Sequence, residues 1–311
     1  MIAFFANIFG YILNFIYNIV QNYGLAIIIF SILIKLLMVP ISLKQQKTMK
    51  KSTKIQSKMK EIQFKYKNDP EKLNAATMEL YKNENMSPFS GCFSAIVQII
   101  LLFAVFYLVR SPLTYMKKVD VSVIDKYTKV MQQNELSTNS AYPEIEIIRE
   151  LENIRKLRDN KEVEENSEEQ KEEKIAVEEI KDEEIDSMYI NMEFLGLNLA
   201  QVPTQSKDWK AYIIPILYVS VAVLSMKITN PTQTKQKTEN KDEKSLIKTG
   251  EEEFDPMAQM NKNMNMMFPV MYLAVALIAP LGLALYWLMN SLLMIIEKLV
   301  LNRLLKDEEE V

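Results

Sequence analysis

Long stretches of this chain carry no charge, and that constrains its fold more than anything else in the sequence. About 20 mostly apolar residues suffice to cross roughly 30 Å of hydrocarbon as a helix. "GLAIIIFSILIKLLMVPISL" (24–43) meets that length with Lys35 as its only charge, and "GCFSAIVQIILLFAVFYLV" (91–109) meets it with none. "AYIIPILYVSVAVLSM" (211–226) is shorter but is bounded by Asp208, Lys210 and Lys227. The run from Met264 to Ile296 is uncharged throughout, and as one helix it would extend about 50 Å. "APLG" (279–282) supplies Pro and Gly where a tight hairpin would turn, so two short spans are read there. The expected fold is an all-α polytopic membrane protein with five transmembrane helices.

Lysine placement sets the orientation. Segment 44–67 holds nine lysines against the single acid Glu61, which makes it cytoplasmic. Alternation then puts 110–210 outside, with 227–263 and the C-terminus inside. Residues 1–20 are uncharged, and Asn7, Tyr11, Asn14 and Asn18 recur on one helical stripe. That pattern suits an amphipathic helix lying in the interface, with a sixth span as the alternative. The same residues show neither the positive n-region nor the small-residue cleavage site of a secretory signal, and no nearby cysteine accepts a lipid.

The expected division runs as follows: interfacial helix 1–22, first span 23–44, cytoplasmic helical hairpin 45–88, second span 89–116. An acidic, largely disordered insertion (117–190) and a short lead-in (191–209) precede the third span at 210–228. A cytoplasmic loop (229–263), spans at 264–280 and 281–302, and an acidic tail (303–311) complete the chain. Within the hairpin, Ile55, Met59, Ile62 and Tyr66 form one stripe, while Leu73, Thr77, Leu80 and Tyr81 form a weaker second. Asp69 suits an N-cap and Pro70 the first helical position. A basic linker that only enforces topology is the plainer reading of that segment. Met-rich "MAQMNKNMNMMFPVM" (257–271) reads as an interfacial segment entering a span, or as an adaptable surface for apolar partners.

Composition argues against an ordinary enzyme. There is no His, which removes the usual general base and the commonest metal ligand. The single Cys92 excludes an intrachain disulfide and a Cys-cluster metal site. No nucleotide-binding motif occurs, so no catalytic residue, cofactor or metal is expected.

Lys35 is the candidate functional residue. It lies nine residues before Lys44, about 13 Å along a helix, and a lysine near the bilayer centre costs about 2.5–3.5 kcal/mol. The uncharged runs 91–109, 211–226 and 264–296 offer no carboxylate. Lys35 is therefore expected to be neutral, hydrated, or paired with an acid from another molecule, and the last is the preferred reading. Ser31, Gln98, Ser225, Asn290 and Ser291 are placed to line a hydrated cavity open to the cytoplasm. For each, an interhelical hydrogen bond is the competing role.

Taken together, "YGLAIIIFSILIKLLMVPISLKQQKTMKK", "YKNDPEKLNAATMELYKNENMSPFSGCFSAIVQI", "EFLGLNL" and "PLGLALYWLMNSLLMIIE" resemble the YidC/Oxa/Alb membrane protein insertases, in the five-span form of Gram-positive bacteria. The resemblance covers 1–116 and about 190–302. It implies an insertase or chaperone of the cell membrane with a positively charged hydrophilic groove. Its partners would be nascent membrane proteins and the lipid bilayer, with the ribosome, a targeting receptor and the Sec channel as further candidates, and no specific nucleic acid. Lys35 stands where the family has a groove arginine, and Ser225 where many relatives carry glutamine. Gln98 and Trp287 match the family. The long insertion and the short acidic tail depart from it. A small-anion or solute transporter using Lys35 as its substrate site is the alternative, and a scaffold that assembles one complex is a third reading.

Overall fold

The computed structural model describes residues 2–66, 69–84, 90–133, 141–151, 154, 181–229 and 271–307. Helix α1 (Ile2–Val20) ends at Gln21, whose φ of 51° turns the chain back. Asn22 then caps α2, accepting a hydrogen bond from the Leu25 N–H at 3.0 Å. Helix α2 (Tyr23–Lys65) runs unbroken for 43 residues, about 65 Å at the helical rise. The first expected span and the first arm of the hairpin are thus one rod. Pro40 sits inside it and withdraws one backbone N–H from the ladder.

Helix α3 (Pro70–Asn83) starts at Asp69, whose carboxylate accepts from the Lys72 N–H at 3.1 Å. It lies against α2 through buried Ile55, a Thr77–Met59 contact of 3.5 Å and a Lys58–Glu84 bridge. Helix α4 (Ser90–Arg110) follows, then a π-helical turn (Leu113–Lys117). Helices α5 (Val121–Gln133), α6 (143–151) and α7 (Asp182–Met188) build a cap. A two-residue hairpin pairs β1 (Glu193–Phe194) with β2 (Leu197–Asn198). The remaining elements are α8 (Ile213–Thr229), α9 (271–278) and α10 (Leu281–Asp307).

The segment after the cap sets the height of two long helices. The first N–H groups of a helix have no partner within it. Here the Tyr23 N–H donates to the Asn191 carbonyl at 3.0 Å, and those of Leu281 and Gly282 donate to Gln201 and Leu199 at 2.9 Å. Helices α2 and α10 therefore start at one level and run the same way. Gly282 lies beside Tyr23 and Ile27, so the two helices approach closely at their starts.

The cap corrects one expectation. Segment 117–190 reads as a largely disordered spacer with helical pieces such as 146–160 as the alternative, and its described ends are helical and tightly packed. Tyr127, Val130, Ile147, Ile154 and Met188 are fully buried in the same core as α1, α2 and α4. Ile124, Tyr127, Val130 and Met131 give α5 an apolar stripe at helical spacing. Residues 155–180 lie outside the described part.

Four described helical stretches are long and apolar enough to cross a membrane: Ile2–Val20, Tyr23–Thr48, Trp209–Met226 and Leu281–Arg303. Ile99–Arg110 is a shorter apolar stretch within α4. Residues 264–270 of the expected span 264–280 lie outside the described residues, as do loop 230–263 and the end of the tail.

Candidate functional site

Lys35 follows the start of α2 by 12 residues and Glu297 follows that of α10 by 16, about 18 Å and 24 Å of rise. The difference is about the reach of a lysine side chain. The structure closes it: Lys35 Nζ lies 2.6 Å from Glu297 Oε2, with the two side chains 19% and 13% exposed. This overturns the expectation that nothing in the chain satisfies Lys35. The uncharged run ends at Ile296, and the partner is the next residue.

The other oxygen of Glu297, Oε1, is buried without a hydrogen-bond partner. Further from the cap, Gln46 Nε2 donates to Asn302 Oδ1 at 2.7 Å and forms a second tie between α2 and α10.

The other predicted residues divide. Ser225, Trp287 and Asn290 line one cavity of about 500 Å³ between α4, α8, α9 and α10, together with Ser291. Its wall is otherwise largely apolar, with Phe103, Phe106, Met226 and Met294 among the lining. Tyr218 stacks at the same wall, its ring 5.7 Å from Trp287 and 6.1 Å from Tyr272. Ser31 is elsewhere: it is buried in α2 and its hydroxyl donates to the Ile27 carbonyl at 2.7 Å. Gln98 belongs to α4, but its side chain lies outside the described residues.

Lys35 is not in the cavity wall, yet its partner connects to it. Trp287, Asn290, Met294 and Glu297 follow one another at spacings of 3, 4 and 3, a single stripe of α10. Glu297 thus lies about 10 Å beyond Asn290 along the helix. The result is an aromatic and aliphatic cavity carrying a few hydroxyl and amide groups, with an ion pair further along the same stripe. That pair, Tyr218 and the Gln46–Asn302 tie were not found from sequence. The α10 stripe, extended one turn, was the signal for Glu297.

Long apolar helices and an ion pair within them define an α-helical polytopic membrane protein. The sequence model of the family described as "60Kd inner membrane protein" matches residues 15–309. The chain belongs to that family, the YidC/Oxa/Alb family. It is 49% identical over 100 residues to a protein of Chlorobaculum parvum named "Membrane protein insertase YidC", covering 32% of this chain and 17% of that one. Relatives of the same name from Fusobacterium nucleatum and Caldanaerobacter subterraneus are 43% and 40% identical over 102 residues. Those matches cover 33% of this chain and 50% of each relative.

Proposed function

We propose that the chain is a membrane protein insertase whose clients pass through the α4–α8–α9–α10 cavity. The observation that carries this reading is a lysine held within apolar helices, close to a cavity with few polar groups, in a family whose relatives are named for insertion. The lysine-rich end of α2 together with α3 lies in the cytoplasm, and the cap lies outside. The helix α1 lies along the outer interface. In support, Asn7, Gly10, Tyr11 and Tyr17, spread over much of its length, all meet residues at the cap end of the bundle.

The chemistry follows from the geometry. A client's polar segment enters from the cytoplasm, where hydroxyl and amide groups of Ser225, Asn290 and Ser291 replace part of its water. Lys35 attracts the carboxylates of that segment, and the attraction is stronger in a partly dehydrated site than in bulk water. The client's apolar segment moves into lipid beside the cavity, and its transfer out of water drives the step.

The test is complementation. In cells depleted of the protein, Lys35→Arg should restore membrane levels of single-span clients with acidic outer segments. Lys35→Ala should leave Glu297 unpaired and fail for those clients, and Lys35→Glu should fail more severely. Full restoration by Lys35→Ala would remove Lys35 from the mechanism.

A further inference from the structure

Among the described residues, the carboxylates of Glu144 and Glu297 have contrasting surroundings. Glu144 in the cap is held on both oxygens: the Thr114 N–H donates to Oε2 at 2.9 Å and the Thr114 hydroxyl to Oε1 at 2.7 Å. Glu297 is held on one oxygen only, by Lys35, while its Oε1 is buried and unpartnered. A buried ion pair offsets its desolvation only when the remaining lone pairs are also satisfied. By that measure the Lys35–Glu297 pair is half made.

Nor is the pair needed to hold its helices together. Helices α2 and α10 are joined near their starts by the shared 189–201 segment and beyond the pair by Gln46 and Asn302. The pair can open between two fixed points.

We propose that Glu297 is an exchangeable internal counter-ion that sets how acidic a client segment must be to engage Lys35. This rests on the insertase reading above. With Glu297 in place, a client carboxylate reaching Lys35 trades one ion pair for another, so a single acid gains little. Several acids, or one whose surroundings also satisfy both its oxygens, displace Glu297. Neutral segments leave the pair closed and pass without using Lys35. The exchange keeps an uncompensated cation out of the membrane between clients, where it would cost about as much as the insertion scales assign to lysine.

The experiment is a tail-charge series in proteoliposomes containing the purified full-length protein. Single-span clients carry outer segments with none, one, two or three acids, and protease protection reports the insertion rate. In Glu297→Gln, clients with one acid should gain about fivefold relative to neutral ones, the factor that ~1 kcal/mol of ion pairing represents. In Lys35→Ala the unpaired Glu297 should push acidic clients below neutral ones. The double variant should respond equally to all four clients.

A Glu297→Gln profile parallel to wild type, with Lys35→Ala still selective against acidic clients, would make the pair structural and overturn the inference. The insertase reading would survive that result. Lys35→Ala matching wild type on every client would overturn both. A uniform drop in Glu297→Gln, from poorer folding, leaves the ratio between clients as the deciding readout, and an unchanged ratio counts against the proposal.

Discussion

Lys35, Glu297 and Glu144 show how far single residues can be read from a sequence. Lys35 stood out because it interrupts an apolar run, whereas Glu297 fell just beyond the boundary where an uncharged run stops. Glu297 lies within the expected last span, 281–302, but a search for a partner confined to the uncharged run ending at Ile296 overlooks it. Glu144 was legible only as part of an acidic stretch, although it is 5% exposed and fixed by Thr114. Burial pushes its carboxyl above the ordinary value of 4.5, and the hydrogen bonds from Thr114 and Ser111 offset only part of that shift. The folded cap therefore binds the proton more tightly than the unfolded chain does, so its stability falls as pH rises from 4.5 through the folded value. Glu144→Gln keeps an acceptor for the Thr114 N–H and removes the titration. Hydrogen-exchange protection of α5, corrected for intrinsic rates, should lose this part of its pH dependence in that variant.

Among the elements, punctuation read better than extent. The Asp69-Pro70 pair marks the start of α3, because an N-cap side chain followed by proline fits a helix start on both counts. The junction between the first span and the hairpin carried no such mark, and the structure has none: α2 passes through it without a break. The close packing of α1 was likewise invisible, since it depends on backbone from a distant segment. A Cβ on Gly10 would collide with the Tyr115 carbonyl oxygen. Gly10→Ala must therefore move α1 away from the π-helical turn, at the ~1–3 kcal/mol typical of overpacking. A lower thermal midpoint in detergent, with α1 more readily cleaved by protease, is the expected outcome. An unchanged midpoint would mean that this contact is loose.

For the whole molecule, apolar length and lysine bias were enough to reach an all-α membrane protein, because the bilayer admits few other solutions. The cap was not reached, since its apolar stripes are short and sit within an acidic insertion. Nor was the cavity reached as it stands. It is largely apolar, with its polar groups confined to a few positions on α8 and α10 and the charge set further along. On the proposed reading, attraction falls to Lys35 and accommodation to the cavity. Filling the cavity should then slow all clients alike, independent of their charge. Ser225→Phe, on the α8 wall, is the variant to use, and insertion rates across neutral and acidic clients are the measure.

The most direct test of the central claim is insertion by the purified protein alone. A single-span client with a doubly acidic outer segment is presented to proteoliposomes, and the fraction of that segment protected from external protease is measured. Vesicles with the wild-type chain or Lys35→Arg should protect it well above empty vesicles, and Lys35→Ala should lose most of that gain. Equal protection by Lys35→Ala and wild type, or no gain of wild type over empty vesicles, would contradict the account.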